Sequence, residues 1–255
     1  TMWIDTHCHL DFIVSKEEQL ANINFAQLDY IICPSADQHS FEKLVRIHEQ
    51  NKKCVYALGY HPLYLKALPK NAVEELEKAI QKFNPIAVGE IGLDFYVADY
   101  DKEQQITYFN QQLTLAQKYN LPVILHVRSA IDEVIKILKN YPHIKGIVHA
   151  FNGSRQQADQ FIKKQFKLGF GGAMTYSRAL NIQRLAKELP IESIVLETDA
   201  PDMNPSWLAK DLDNHPNQLP QIATFFAQLR NISLEKLALQ MKQNLQEVMP
   251  QIGTC

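Results

Sequence analysis

Along the chain, short runs dense in Val, Ile and Tyr alternate with longer stretches whose apolar residues return every three or four positions. The short runs fall at residues 3–7, 30–34, 55–59, 86–90, 123–127, 146–150, 167–171 and 194–199. Most are apolar on both faces, as parallel strands are when packed between a barrel interior and covering helices. The longer stretches have helical period: across 102–119, Ile106, Phe109, Leu113 and Ala116 share one face. Start signals agree, because Ser15 with Glu18, Asn71 with Glu74 and Ser154 with Gln157 fit or approximate capping boxes. Strands and helices in this alternation predict an α/β fold, a (β/α)8 TIM barrel forming a single domain over 1–255, with helical stretches 218–230 and 233–248 completing its C-terminal end. An open doubly wound sheet is the competitor. Against it, the first strand carries His-Cys-His where a dinucleotide fold carries a glycine-rich turn, and no GxGxxG follows any strand.

Composition narrows the function classes. With 255 residues, 46% hydrophobic and 21% charged, the chain has the balance of a globular domain of the size such barrels have. A net charge of −2 lacks the footprint of a long nucleic-acid groove, so any nucleic-acid contact is expected to be local. Lys163, Lys164 and Lys167 form the densest basic cluster, and their spacing fits a solvated helix end. Cys8, Cys33, Cys54 and Cys255 include no CxxC pair, which fits a reducing compartment better than a disulfide framework. With no signal-peptide series and no apolar run approaching ~18 residues, the expectation is a cytoplasmic protein with no membrane contact, and no obligate protein partner is implied.

Candidate chemistry begins at Asp5-Thr6-His7-Cys8-His9. Two imidazoles two residues apart on an extended segment point the same way and can share one metal, while Cys8 points to the opposite side as a small core residue. Glu90, His126, His149 and Asp199 each fall at or near the C-terminal end of a predicted strand, where active sites of this barrel lie. Any one has an ordinary structural explanation, since a lone strand histidine is commonly a hydrogen-bonded core residue. Four histidines and two carboxylates converging on one barrel mouth are explained together by a divalent metal, which compensates the buried charge. His61 also falls at a strand end. His39, His48, His143 and His215 lack that placement, and Tyr and Phe are spread along the chain, so core packing outranks a base-stacking platform.

With these residues in place, the chain resembles the TatD family of metal-dependent deoxyribonucleases, within the amidohydrolase-like barrels. The matching stretches are Asp5-Thr6-His7-Cys8-His9-Leu10, Gly59-Tyr60-His61-Pro62, Val88-Gly89-Glu90-Ile91-Gly92-Leu93-Asp94, Pro122-Val123-Ile124-Leu125-His126-Val127-Arg128, His149-Ala150-Phe151-Asn152-Gly153 and Glu197-Thr198-Asp199-Ala200-Pro201. The resemblance implies two divalent ions: His7, His9 and Asp199 on one, His126 and His149 on the other, and Glu90 bridging. The family is credited with magnesium, whereas four imidazoles suit zinc or manganese, so Mg, Mn and Zn are all carried forward. The implied substrate is DNA, as single strands or 3′ ends, cleaved from 3′ to 5′ by a hydroxide bridging the two ions.

Asp199 is then a ligand and a candidate proton acceptor, and Arg128 a candidate contact to a phosphate oxygen. His61 either donates a hydrogen bond to the phosphate or departing oxygen or has a structural role. Asp94 and Glu197 are expected to orient ligand imidazoles. Where many members carry Asn-Glu-Pro, this chain has Asn214-His215-Pro216. Because that loop is expected to line the substrate pocket, an alternative stays open: a small-molecule amidohydrolase, lactonase or phosphoesterase on the same metal centre.

Overall fold

Each of the eight apolar runs forms a strand in the computed structural model, which describes residues 1–13 and 17–253. The strands β1 (Trp3–Asp5), β2 (Leu28–Pro34), β3 (Cys54–Leu58), β4 (Ala87–Asp94), β5 (Val123–Arg128), β6 (Gly146–Val148), β7 (Phe166–Phe170) and β8 (Ile194–Leu196) pair in chain order, all parallel. Just past the strand ends the seam is laced as well: Thr6 N and Oγ1 donate to Leu196 O at 3.2 and 2.9 Å, and Asp199 N donates to His7 O at 2.8 Å. The result is a nearly closed (β/α)8 barrel.

The covering helices among the described residues are α1 (Leu10–Ile13), α2 (Gln38–Gln50), α3 (Ala72–Phe83), α4 (Lys102–Lys118), α5 (Ile131–Leu138), α6 (Arg155–Lys163), α7 (Leu180–Glu188), α8 (Leu219–Arg230) and α9 (Leu234–Val248). Their apolar faces pack on the outward strand residues in one continuous core that includes Val88, Val123, Leu125, Phe109 and Phe226. Among the described residues, no helix is long and apolar enough to cross a membrane.

A second core fills the barrel interior. Ile4, Ile32, Ala57, Ala87, Ile124, Ile147 and Val195 point inward from successive strands, and Leu245, Val248, Met249 and Ile252, from α9 and the turn after it, close the floor beneath them. The period of two then carries the same inward face upward. On β5 it runs Ile124, His126, Arg128; from β6, Ile147, His149; from β8, Val195, Glu197, Asp199. Apolar residues at the bottom and polar ones at the top of one face are what separate a packed floor from a reactive mouth.

Besides the segment after β1, where Ile4 faces the floor but His7 and His9, of the opposite parity, face the mouth, two positions depart from this rule. On β4 the inward face is Ala87 and Gly89, so Glu90 would point outward; a register shift between Gly89 and Ile91 makes Glu90 the extra residue of a bulge and turns it into the mouth. Two residues on, Gly92 has φ 148, and a Cβ there would lie 1.9 Å from His126 O, so glycine is required by conformation and by space. The second departure is Lys167, read from sequence as part of a solvated helix end. It is 6% exposed on β7, and its Nζ donates to Glu192 O at 2.7 Å and to Glu247 Oε2 at 2.5 Å. Only Lys163 and Lys164 lie at the helix end, because the chain has already entered β7 at Phe166.

Of the capping signals, Ser154 and Gln157 form a complete capping box at the start of α6. Asn71 does not cap α3: its backbone is at φ −93, ψ 19 rather than extended, and its amide instead donates to Glu75 Oε1 at 3.4 Å. Ser15, the expected partner of Glu18, lies outside the described residues, like Cys255. Cys8, Cys33 and Cys54 are buried free thiols.

Candidate metal centre

The structure brings His7, His9, Glu90, His126, His149 and Asp199 to one point at the C-terminal mouth, with His61 beside them. The centre is the Glu90 carboxylate, 1% exposed. Its Oε1 lies 3.3 Å from both His7 Nε2 and His9 Nε2, which are themselves 3.3 Å apart, and Asp199 Oδ1 lies 3.5 Å from each of these imidazoles. A cation held about 2.0–2.1 Å from four tetrahedral ligands keeps the ligand atoms roughly 3.3–3.4 Å from one another. Glu90 Oε1 is buried and accepts no hydrogen bond despite its two imidazole neighbours, as expected of ligands converging on a shared ion.

Glu90 Oε2 faces a second set, with His126 Nδ1 at 3.1 Å, His149 Nε2 at 3.4 Å and His61 Nε2 at 3.6 Å. The donor sets close enough to hold an ion are His7, His9 and Glu90; His7, His149 and Asp199; and His61, Glu90 and His126. His61 belongs to the last by distance but not by chemistry. Its Nδ1 accepts the Leu63 amide at 3.1 Å, which leaves the proton of the neutral ring on Nε2, so toward Glu90 it is a donor. Burial, with the imidazole of His126 adding to it, pushes His61 down to about 3 and keeps it neutral.

Outer partners fix the rings. Asp94 Oδ2 lies 2.8 Å from His126 Nε2, and Glu197 Oε1 lies 3.1 Å from His149 Nδ1 while also accepting the Ala150 amide at 2.6 Å. Each imidazole thus has one nitrogen on a carboxylate and the other toward Glu90, the pattern that orients metal ligands. Burial opposes a charge on His149, but Glu197, Asp199 and Glu90 outweigh it and raise the ring to about 10. Glu90 is moved oppositely: burial works against its charge, and the surrounding His7, His61 and His149 hold it well below the usual carboxylate range. Protons and a cation therefore compete for the same atoms.

Several supporting residues escaped the sequence reading. Asp5, fully buried, accepts Thr198 N at 3.0 Å and Thr198 Oγ1 at 2.5 Å, tying the end of β1 to the segment that carries Asp199. Ser35 N donates to Gly89 O and its carbonyl accepts the Glu90 amide, which pins the bulge. Gln105, buried on α4, grips the backbone of Asp94 from both sides. The available signal was a polar residue on the strand-facing side of an amphipathic helix, which has to find a partner inside.

A cleft of about 990 Å³ opens beside the centre, lined by His126, His149 and Asp199 together with Tyr96, Arg128 and Met203. The Asn214-His215-Pro216 departure lies outside it. His215 caps the short helical turn Pro216–Gln218 through its Nδ1, and Asn214 donates to Thr198 O at 2.9 Å and Asp202 O at 2.8 Å, so the segment supports the loop after β8. Of the 202–215 stretch, Met203 lines the cleft and His215 does not, contrary to the expectation for that loop. The aromatic residues also depart from expectation: Phe12, Tyr64 and Tyr96 are exposed, and each touches a side chain of the mouth. Phe12 stacks on His9 at 5.3 Å, Tyr64 meets His61 edge-on at 5.6 Å, and the Arg128 guanidinium lies 3.7 Å over the Tyr96 ring.

Residues 4–250 match the family model described as TatD related DNase. The chain belongs to the TatD family. It is 35% identical to the uncharacterized metal-dependent hydrolase YjjV of Escherichia coli strain K12, over 95% of each chain. The crystal structure of that TatD homologue superposes with a TM-score of 0.92 at 34% identity, covering 97% of this chain and 98% of the other. The chain is also 29% identical to the deoxyribonuclease TATDN3 of Homo sapiens, over 98% of this chain and 95% of the relative. A TatD-family hydrolase from Entamoeba histolytica shares the fold, with a TM-score of 0.82 at 22% identity and 98% of each chain covered.

Proposed function

We propose that the chain is a metal-dependent hydrolase that cleaves phosphodiester bonds of DNA, removing nucleotides from the 3′ end. The observation that carries this is the Glu90 carboxylate, whose two oxygens face separate imidazole sets, the arrangement expected of a bridge between two cations. His7, His9 and Asp199 with Glu90 Oε1 would hold one ion, and His126 and His149 with Glu90 Oε2 the other. Imidazole-rich sets of this kind suit zinc or manganese, and magnesium is the family's usual ion. When bound, divalent cations supply Lewis acidity, polarising a phosphoryl oxygen and acidifying water.

The chain's own groups do the rest. Asp199 Oδ1 lies with His7 and His9, while Oδ2 is no closer than 4.0 Å to His149 Nε2, so Oδ2 is free to accept the proton of the attacking water. His61 Nε2–H donates into the site and can hold a phosphate or departing oxygen. Among the described residues Arg128 forms no salt bridge, although its charge reaches the Asp94 carboxylate, and its fork of donors is left for a phosphate in the cleft.

The test uses metal-depleted protein reloaded with Mg, Mn or Zn and 5′-labelled single-stranded DNA. Progressive shortening from the 3′ end, abolished by chelator, is expected. No cleavage with any ion would end the DNA reading, and turnover of lactones, amides or small phosphoesters in its place would install the small-molecule hydrolase instead.

A further inference from the structure

Beside the metal ligands the mouth carries a built surface, made by Tyr96 and Arg128, that takes no part in holding a metal. Tyr96 is 64% exposed directly after β4, and the guanidinium of Arg128, at the end of β5, lies 3.7 Å over its ring. Both line the 990 Å³ cleft along with His126 and Asp199. The pair is held in place by the same group that orients a candidate ligand: Asp94 accepts the Tyr96 amide on Oδ1 at 3.1 Å and meets His126 Nε2 with Oδ2 at 2.8 Å. Phe95 N donates to Arg128 O at 2.9 Å and locks the two strand ends together. His126 and Arg128 are two residues apart on one strand face, about 7 Å along the strand, so the stacked pair stands one short step from the centre.

A planar cation on an aromatic ring, open to a cleft and in no salt bridge among the described residues, is a surface for another flat π-system carrying negative charge. Resting on the reading of the chain as a DNA hydrolase, we infer that Tyr96 and Arg128 form a nucleobase shelf: the base next to the scissile phosphate stacks on the pair, and Arg128 contacts that nucleotide's phosphate. The shelf fixes where the strand stops relative to Glu90 and Asp199. It reads no sequence, because every base has a stacking face.

Equilibrium binding of a fluorescein-labelled single-stranded deoxyoligonucleotide, and of the same oligonucleotide with abasic sites at its 3′ end, tests this in the presence of chelator for wild type, Tyr96→Ala, Tyr96→Phe and Arg128→Lys. Tyr96→Ala should weaken the intact strand at least about fivefold, the lower limit for loss of one stacked base, and Tyr96→Phe should restore it. The abasic strand should bind wild type as weakly as the intact strand binds Tyr96→Ala, and should be indifferent to that substitution. Arg128→Lys should weaken both strands, since a point charge does not replace the planar fork. Equal losses on intact and abasic strands for Tyr96→Ala, unchanged binding of both, or no binding of either strand to wild type would overturn the shelf. DNA that binds with this base dependence but is not hydrolysed after metal loading would leave the shelf standing and remove the nuclease assignment alone.

Discussion

The two ends of the barrel are built from the same strands and the same inward-facing positions, yet they solve opposite problems. At the bottom, Ile4, Ile32, Ile124, Ile147 and Val195 meet Leu245 and Val248, and burial of apolar surface stabilises the fold directly. At the top, four imidazoles and two carboxylates are packed against one another and largely buried, an arrangement that costs stability unless a cation or shared protons neutralise it. Polar residues at the bottom are treated as exceptions to be discharged: Lys167 reaches out to Glu247 and a carbonyl. Apolar residues at the top remain exposed, as Phe12, Tyr64 and Tyr96 do. One end keeps stability, and the other gives some of it up for chemistry.

Substitutions at the two ends should therefore separate activity from stability. The largest effect is expected from Glu90→Gln, which removes the shared carboxylate. DNA hydrolysis should fall on the order of a thousandfold, corresponding to several kcal/mol of charge stabilisation, while the metal-free protein should lose only the ion-pair contribution of Glu90 to protonated His149 and still unfold cooperatively in chelator. A cleavage assay paired with calorimetry checks it, and loss of the cooperative unfolding transition in chelator would mean that Glu90 is chiefly structural. The mirror experiment is Leu245→Ala in the floor, expected to cost about 2–5 kcal/mol in denaturant unfolding while metal stoichiometry by elemental analysis stays the same. Altered stoichiometry there would show that the two ends are not independent.

Between these extremes, Glu197→Gln should weaken metal affinity roughly 10–100-fold without removing a ligand, because it acts through His149. Titration against a competing chelator measures the shift. Proton linkage sharpens the same point. His149, raised to about 10, carries a proton near pH 7 in the metal-free protein and must lose it to become a ligand. Metal loading should release protons, and apparent affinity should fall by about tenfold per pH unit for each displaced proton as pH drops below that value. Calorimetry in buffers of different ionisation enthalpy measures the number, and a value of zero would contradict the neutralisation picture. The smallest effect is expected at the rim of the cleft, away from the ligand atoms: Ser154→Ala at the α6 capping box should cost about 1 kcal/mol of stability and nothing in metal binding.

Much of this organisation was legible in the residues. The barrel followed from eight apolar runs alternating with helical periods, and the inward placement of His126 and His149 from the period of two on an extended segment. Glu90 lay within reach of sequence only as a strand-end residue; its inward turn depends on a bulge, and nothing in Val88-Gly89-Glu90-Ile91 announces which residue is the extra one. Asp5 and Thr198 are 193 positions apart, so their pairing is a property of closure that no local pattern reports. Lys167 was misread because a basic triplet beside a helix end looks solvated until the strand after it is placed. The rim aromatics were hidden by number: most Tyr and Phe pack inside, and exposure of the few that do not is set by loop geometry.

The seam between β8 and β1, together with the α9 floor, has a consequence for how the molecule comes into being. Thr6 binds Leu196, Asp5 binds Thr198, and Ile4 shares the floor cluster with Leu245, so β1, which pairs with β2 on one side, finds its other neighbour only 190 or more positions further along the chain. During synthesis, that second edge of β1 must wait unpaired until β8 and the floor helix have left the ribosome. Folding is thereby tied to a late, long-range joining step rather than to growth from the N-terminal end.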